Sequence, residues 1–264
     1  MGMDDRVVRA GGRDVAAFLG SAAAAWRSAL GRNLGGVYVH GSIATGAFNP
    51  RTSDIDVMVT TGGLTDAAAN ERLRELHLVM LGWGDERWAE RLELTFVPSS
   101  ALTTVEVPAL LVLQLHPDQG LTLAPLGPDF PIQKHLVRTC GITLLGRDAA
   151  KIMPAVSPGE LREAQLSSLR AIWAPQLEFR GRFLARDYQA SAVLTMCRAI
   201  CLLTTGEVVT KPHAAAWALQ AAYLEPWWPL IRSALAYPGG LQPDQRAASV
   251  DFVRFALEDA GIGH

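Results

Sequence analysis

The chain has 264 residues, 49% of them hydrophobic, and a net charge of −2. That composition suits a packed core and argues against disorder. The near-neutral balance, with a pI near 6.3, argues against a broad electrostatic grip on nucleic acid. Three cysteines, Cys140, Cys197 and Cys201, make no disulfide framework, and Cys197 and Cys201 lack a partner set for zinc. The N-terminal stretch MGMDDRVVRAGGRD has charges where a secretory signal has an apolar run. No apolar run reaches the roughly 18 residues of a membrane span. The expectation is a soluble, cytoplasmic monomer with no nucleic-acid or membrane partner.

In chain order, the Ala/Leu-rich segment 13–30 predicts a helix. GGVYVH (35–40) predicts a strand, and GSIATGAF a tight turn into a short helix. NPRTS signals a turn, and DIDVMVTT a second strand. Residues 64–83 predict a helix. RLELTFVPSS (91–100) alternates with period 2 and predicts a strand ended by Pro98. Residues 101–128, punctuated by Pro and Gly, are placed only loosely as a strand and loops. DFPIQKHLVRTCG predicts a helix opening at Asp129 and closing at Gly141, followed by the short apolar ITLLG. Beyond a Pro-containing linker near 150–157 the pattern is helical: 158–186, 187–205, 212–224, 227–236 and 244–261. An N-terminal α/β part, 1–156, therefore precedes an all-helical part, 157–264.

Asp54 and Asp56 interrupt an apolar strand at i and i+2, which projects both carboxylates to one face and leaves Ile55 and Val57 toward the core. Two adjacent carboxylates repel unless neutralised. Mg²⁺ is the cation expected, because it takes one or two carboxylates plus phosphate oxygens. Glu93 is equally ill-suited to its strand and joins the pair if the two strands are neighbours. Upstream, Gly41 and Ser42 stand at a strand-to-helix turn, where backbone N–H groups and a hydroxyl suit an anion. Taken alone, the aspartates and Glu93 also admit a plainer reading as solvated strand residues.

HGSIATGAFNPRTSDIDVMV resembles the nucleotidyltransferase signature, a Gly-Ser followed by a spaced Asp-x-Asp and a distant third carboxylate. With LELTFV, TLLG, VLTMCRAICLLTTGEVVTKPHAAAWAL and AYPGG, the chain from about residue 35 onward resembles the aminoglycoside 3''(9)-adenylyltransferases. The resemblance implies an α+β fold, a mixed-sheet nucleotidyltransferase domain followed by a helical bundle, with the active site in the cleft between them. It implies ATP and Mg²⁺ as cofactors, with Asp54, Asp56 and Glu93 on metal and Glu93 as base. It implies Gly41, Ser42, Ser53, Asp129, Arg198, Lys211 and Tyr237 on ATP. The acceptor implied is an aminoglycoside or aminocyclitol hydroxyl, as in streptomycin or spectinomycin. Trp173, Glu178 and Asp187 are the candidate acceptor contacts. Lys211, Arg198 and Tyr237 also admit readings as a solvated, a salt-bridged and a capping residue. The family's loop aromatic after the Glu93 strand is missing from VLQLHPDQG, which favours spectinomycin over streptomycin. The alternative reading is a nucleotidyltransferase acting on another small molecule or on a protein, as in toxin–antitoxin systems.

Overall fold

A computed structural model describes residues 5–83, 86–103, 110–117, 119–238 and 244–263. The chain forms two compact units, Met1–Val156 and Ser157–His264.

The first unit is a six-stranded mixed sheet with helices packed against it. Helix α1 (Asp5–Leu30) is broken at Gly12, whose φ of 85° no helix accepts. The expected helix from residue 13 is thus its second half. After a short 3₁₀ turn come β1 (Leu34–Val39), α2 (Gly41–Thr45) and β2 (Ile55–Thr61). Helix α3 (Ala67–Leu81) starts on Asp66, whose side chain accepts from Ala69 N–H at 2.7 Å. The one-turn helix α4 (Glu86–Ala89) leads into β3 (Leu92–Pro98) and α5 (Ser99–Thr103). Strands β4 (Leu111–His116) and β5 (Gly120–Pro125) pair antiparallel, a hairpin where the sequence suggested a strand and loops. Helix α6 (Phe130–Cys140) runs from Asp129 to Gly141, as its end signals predicted. Strand β6 (Ile142–Gly146) and the short α7 (Ala149–Ile152) complete the unit.

The sheet order is β5-β4-β3-β2-β1-β6. Among the described residues only β2 and β3 run parallel, through the crossover that carries α3; the other pairings are antiparallel. Period-2 alternation sorts the side chains into two layers. Val37, Val39, Ile55, Val57, Val59, Leu92, Leu94 and Phe96 join Val15, Phe18, Leu19 and Trp26 of α1 in one core cluster. Tyr38, Met58, Val97 and Val112 point the other way, into a smaller cluster with Phe130 and Val137 of α6. The sheet is therefore apolar on both faces over most of its area, and Met58 is fully buried. The polar exceptions on the second face are what matter for chemistry.

The described part of the second unit contains helices only. Helix α8 (Pro158–Ser168) opens with a capping box between Ser157 and Glu160. It does not continue to residue 186 as the pattern suggested. A π-helical turn (Leu169–Trp173) and two 3₁₀ segments (Ala174–Leu177 and Arg180–Leu184) intervene. Pro175 has no N–H to continue an α-helical ladder. Helix α9 (Arg186–Thr205) ends at Gly206 in the left-handed region. Helix α10 (Lys211–Ala218) is capped by Thr210, and a 3₁₀ turn (Ala222–Trp227) leads to α11 (Trp228–Ala236) and α12 (Arg246–Asp259). Met196, Cys197 and Ile200 of α9 sit at the centre of this unit's own core.

Candidate active site

The site is built where β1 turns into α2 beside the start of β2. His40 N–H donates to the Asp56 carbonyl at 3.0 Å, which carries the β1–β2 ladder one step past Val39. Gly41 follows with φ +59°, and a Cβ there would run into the Asp56 carboxylate. Glycine is required twice over, by backbone handedness and by space. Ser42 is the second residue of the short α2, and its Oγ is buried with no hydrogen-bond partner among the described residues. A buried hydroxyl left unsatisfied costs about 1–3 kcal/mol. The backbone thus approaches a carboxylate at a point where a hydroxyl stands in reserve.

Strand pairing sets the carboxylates. β2 and β3 are parallel, with Asp56 directly opposite Glu93 in the register Ile55↔Leu92 to Thr61↔Pro98. Residues opposite each other share a face. The neighbours Ile55, Val57, Leu92 and Leu94 go to the α1 side, so Asp56 and Glu93, both half-buried, lie together on the other. Asp54 is exposed and precedes the first ladder residue, Ile55. No group of three or more His, Cys, Asp or Glu among the described residues could hold an ion as the side chains stand. The ladder aligns Asp56 with Glu93 but does not extend to Asp54. A carboxylate pair supplemented by phosphate oxygens remains a donor set that Mg²⁺ accepts. His40, buried beneath this end of the sheet, has its pKa pushed down by desolvation; the charges of Asp56 and Asp129 pull it up.

The loop that delivers Asp54 is held from two directions. Internally, Asn49 N–H donates to Ser53 Oγ at 2.9 Å, Arg51 N–H to Asn49 Oδ1 at 3.0 Å, and Ser53 N–H to the Asn49 carbonyl at 2.9 Å. Externally, Arg91 donates to the carbonyl of Pro50 at 2.8 Å and to that of Ser53. Its guanidinium carbon lies 5.4 Å from the centre of the buried Trp88 ring. Trp88 also meets Phe48 of the same loop at 6.1 Å between ring centres. Sequence reasoning missed Arg91 and His40. The available signal was a cation two residues from Glu93 in ERLELT, and a histidine abutting Gly-Ser.

The remaining candidates are spread over both units. Ser53 spends its hydroxyl inside its own loop. Asp129 sits at the head of α6 and accepts from Gln133 Nε2 at 2.9 Å. In the second unit, Lys211 is the first residue of α10 and its Nζ donates to Ser191 Oγ at 2.8 Å. Arg198 is half-buried on α9. Tyr237 closes α11 and lines a cavity of about 20 Å³ with Gln189, Ser233 and Ser249. Trp173 stacks on Tyr188 at 6.4 Å between ring centres. Glu178 and Asp187 are exposed, and Asp187 Oδ1 accepts from Tyr188 N–H at 2.7 Å.

A turn of small residues beside paired carboxylates on a mixed sheet defines the nucleotidyltransferase class, and residues 25–120 match the model of the nucleotidyltransferase domain. Residues 151–257 match the model of the aminoglycoside adenylyltransferase C-terminal domain. Together these matches support the aminoglycoside adenylyltransferase family, and the chain is a nucleotidyltransferase enzyme. It is 27% identical over 198 residues to a spectinomycin 9-adenylyltransferase of Staphylococcus aureus, covering 72% of each chain. A spectinomycin 9-adenylyltransferase of Campylobacter jejuni is 25% identical over 238 residues, 85% of this chain and 88% of the relative. The fold is similar to that of the crystal structure of spectinomycin adenyltransferase AAD(9) from Enterococcus faecialis with ATP and spectinomycin. That match has a TM-score of 0.69 and 18% identity, and covers 92% of this chain and 98% of the other.

Proposed function

We propose that this enzyme transfers AMP from ATP to a hydroxyl of an aminocyclitol or aminoglycoside, with spectinomycin as the favoured acceptor. The observation that carries the reading is the direct pairing of Asp56 with Glu93 across β2 and β3, beside the Gly41–Ser42 turn. Asp54 and Asp56 hold Mg²⁺ in this reading. When bound, the ion neutralises phosphate oxygens so that a nucleophile can approach them. Glu93 accepts the proton of the acceptor hydroxyl. The hydroxyl oxygen forms a bond to the α-phosphorus as the bond to the β-phosphate oxygen breaks, and pyrophosphate leaves. Ser42, whose buried Oγ lacks a partner among the described residues, serves the triphosphate.

Ser53, Asp129, Arg198, Lys211 and Tyr237 complete the proposed ATP set, and Trp173, Glu178 and Asp187 the acceptor set. The names of the relatives support the acceptor class. The preference for spectinomycin over streptomycin rests on the β4–β5 hairpin, whose segment 111–125 contains no Phe, Tyr or Trp.

The test is purified enzyme with ATP, Mg²⁺ and a panel of aminoglycosides and aminocyclitols, read by mass spectrometry for an added AMP. Adenylylated spectinomycin is the expected product. Efficient streptomycin modification with none of spectinomycin overturns the preference. Labelled protein with no labelled drug overturns the acceptor class. A Glu93→Gln variant keeps the shape and removes the base. A positioned general base contributes about 10²–10⁴-fold, so turnover should fall at least a hundredfold while ATP still binds. Near-normal turnover removes Glu93 from that role.

A further inference from the structure

We propose that Arg91 is a positioning residue for the metal-binding carboxylates, tying the loop that ends in Asp54 to the strand that carries Glu93. The inference rests on the reading that Asp54 and Asp56 hold the divalent ion.

The geometry separates two problems. Strand pairing fixes Asp56 against Glu93, because both belong to the β2–β3 ladder. It does not fix Asp54, which precedes Ile55, the first residue of β2. The loop's internal bonds around Asn49 shape it but join it to nothing on β3. Arg91 supplies that join. It sits just ahead of Leu92, and its own carbonyl accepts from Ile55 N–H at 2.8 Å. Its guanidinium reaches back to the Pro50 and Ser53 carbonyls. One residue thus grips the backbone on both sides of Asp54.

The chemistry explains why arginine stands there. A planar fork with several N–H donors can serve two carbonyls at once, which a lysine ammonium on a flexible stem does less well. Its carbonyl partners carry no charge, and the Asp54 carboxylate also lies within the field of the guanidinium. Trp88 supports the guanidinium from beneath and also takes Phe48 of the same loop. Groups that orient metal ligands typically change affinity 10–100-fold when lost.

The test uses the full chain with a non-hydrolysable ATP analogue and Mn²⁺, with free Mn²⁺ read by electron paramagnetic resonance. Wild type is compared with Arg91→Lys, Arg91→Gln and Asp54→Asn, and each variant's thermal midpoint is recorded. Arg91→Lys and Arg91→Gln should weaken Mn²⁺ about tenfold or more, and turnover should need correspondingly more Mg²⁺. Whichever of the two folds decides the matter. Mn²⁺ affinity within twofold of wild type, with only a lowered midpoint, overturns the proposal and leaves Arg91 a loop staple. The Asp54→Asn arm separates the two ideas. If it binds Mn²⁺ normally, the aspartate reading itself fails; if it loses Mn²⁺ while the Arg91 variants keep it, only the positioning role fails.

Discussion

Gly41 shows how much one residue can decide. Its φ lies where an L side chain is strained, and the space a Cβ would need is held by the Asp56 carboxylate. Left-handed backbone costs a non-glycine residue about 1–2 kcal/mol, and the steric conflict falls on a proposed metal ligand. Gly41→Ala should therefore lower the thermal midpoint modestly and abolish most turnover. An active Gly41→Ala enzyme, assayed by nucleotide consumption, would show that the turn can relax away from Asp56. Ser42→Ala asks a different question. It removes an unsatisfied hydroxyl, so stability should hold or rise while ATP affinity falls; calorimetry and thermal melts read the two separately. The sequence exposed Gly41, Ser42, Asp54, Asp56 and Glu93 because each breaks a local rule of its element. Arg91 and His40 broke none. An arginine beside a strand and a histidine after one are ordinary, and their partners are brought close only by folding.

Among the elements, α1 and α3 show what patterning reveals and hides. The apolar stripe of α1 predicts its packing, and Leu19 is fully buried in the main core. Leu19→Ala should cost about 2–5 kcal/mol, measurable by denaturant titration. Helix α3 carries His77, whose Nδ1 is buried without a partner among the described residues and whose pKa is lowered by desolvation. A base with a depressed folded-state pKa takes up its proton more readily when unfolded. Its contribution is complete above the unfolded value of about 6.5 and is lost progressively as pH falls toward the lowered folded value. His135 and His40 shift in the same direction. The first unit should lose stability below pH about 6.5, and His77→Gln should flatten part of that slope. A midpoint independent of pH from 7 down to 5 contradicts this account. Strands 111–116 and 120–125 and the turns over 169–184 escaped the pattern for one reason. Short strands, π turns and 3₁₀ turns lack the length over which a period can declare itself, and Pro175 marks a break but not the conformation beyond it.

At the scale of the whole chain, each unit packs hydrophobic core of its own, and candidate ATP residues come from both. Lys211→Ala and Ser42→Ala should therefore each weaken ATP, although one residue lies in each unit. Retention of full ATP affinity by Lys211→Ala removes Lys211 from the nucleotide set. The thiols offer a probe of the second. Cys197 is buried and its pKa is pushed up to about 12, so it should resist thiol reagents until the helices unfold. Labelling of Cys197 at native stability, detected by peptide mapping, would show that this core opens. The boundary near residue 157 was legible from prolines and a change of pattern, and the Asp-x-Asp motif from its charges. The register that brings Asp56 and Glu93 together was not legible, because it is set by pairing between segments far apart in sequence.

That register also governs how the gene can change length. Codons gained or lost within the loop 62–65 alter the crossover between β2 and β3, and a turn can absorb them without moving either strand. One codon gained inside 55–61 or 92–98 exchanges the two faces of a strand beyond that point, because side chains alternate. Apolar residues then meet the carboxylate side and polar ones enter the α1 core. Surviving indels in a selected library should accordingly cluster in the 62–65 loop and be missing from the two strands, whatever residues they insert.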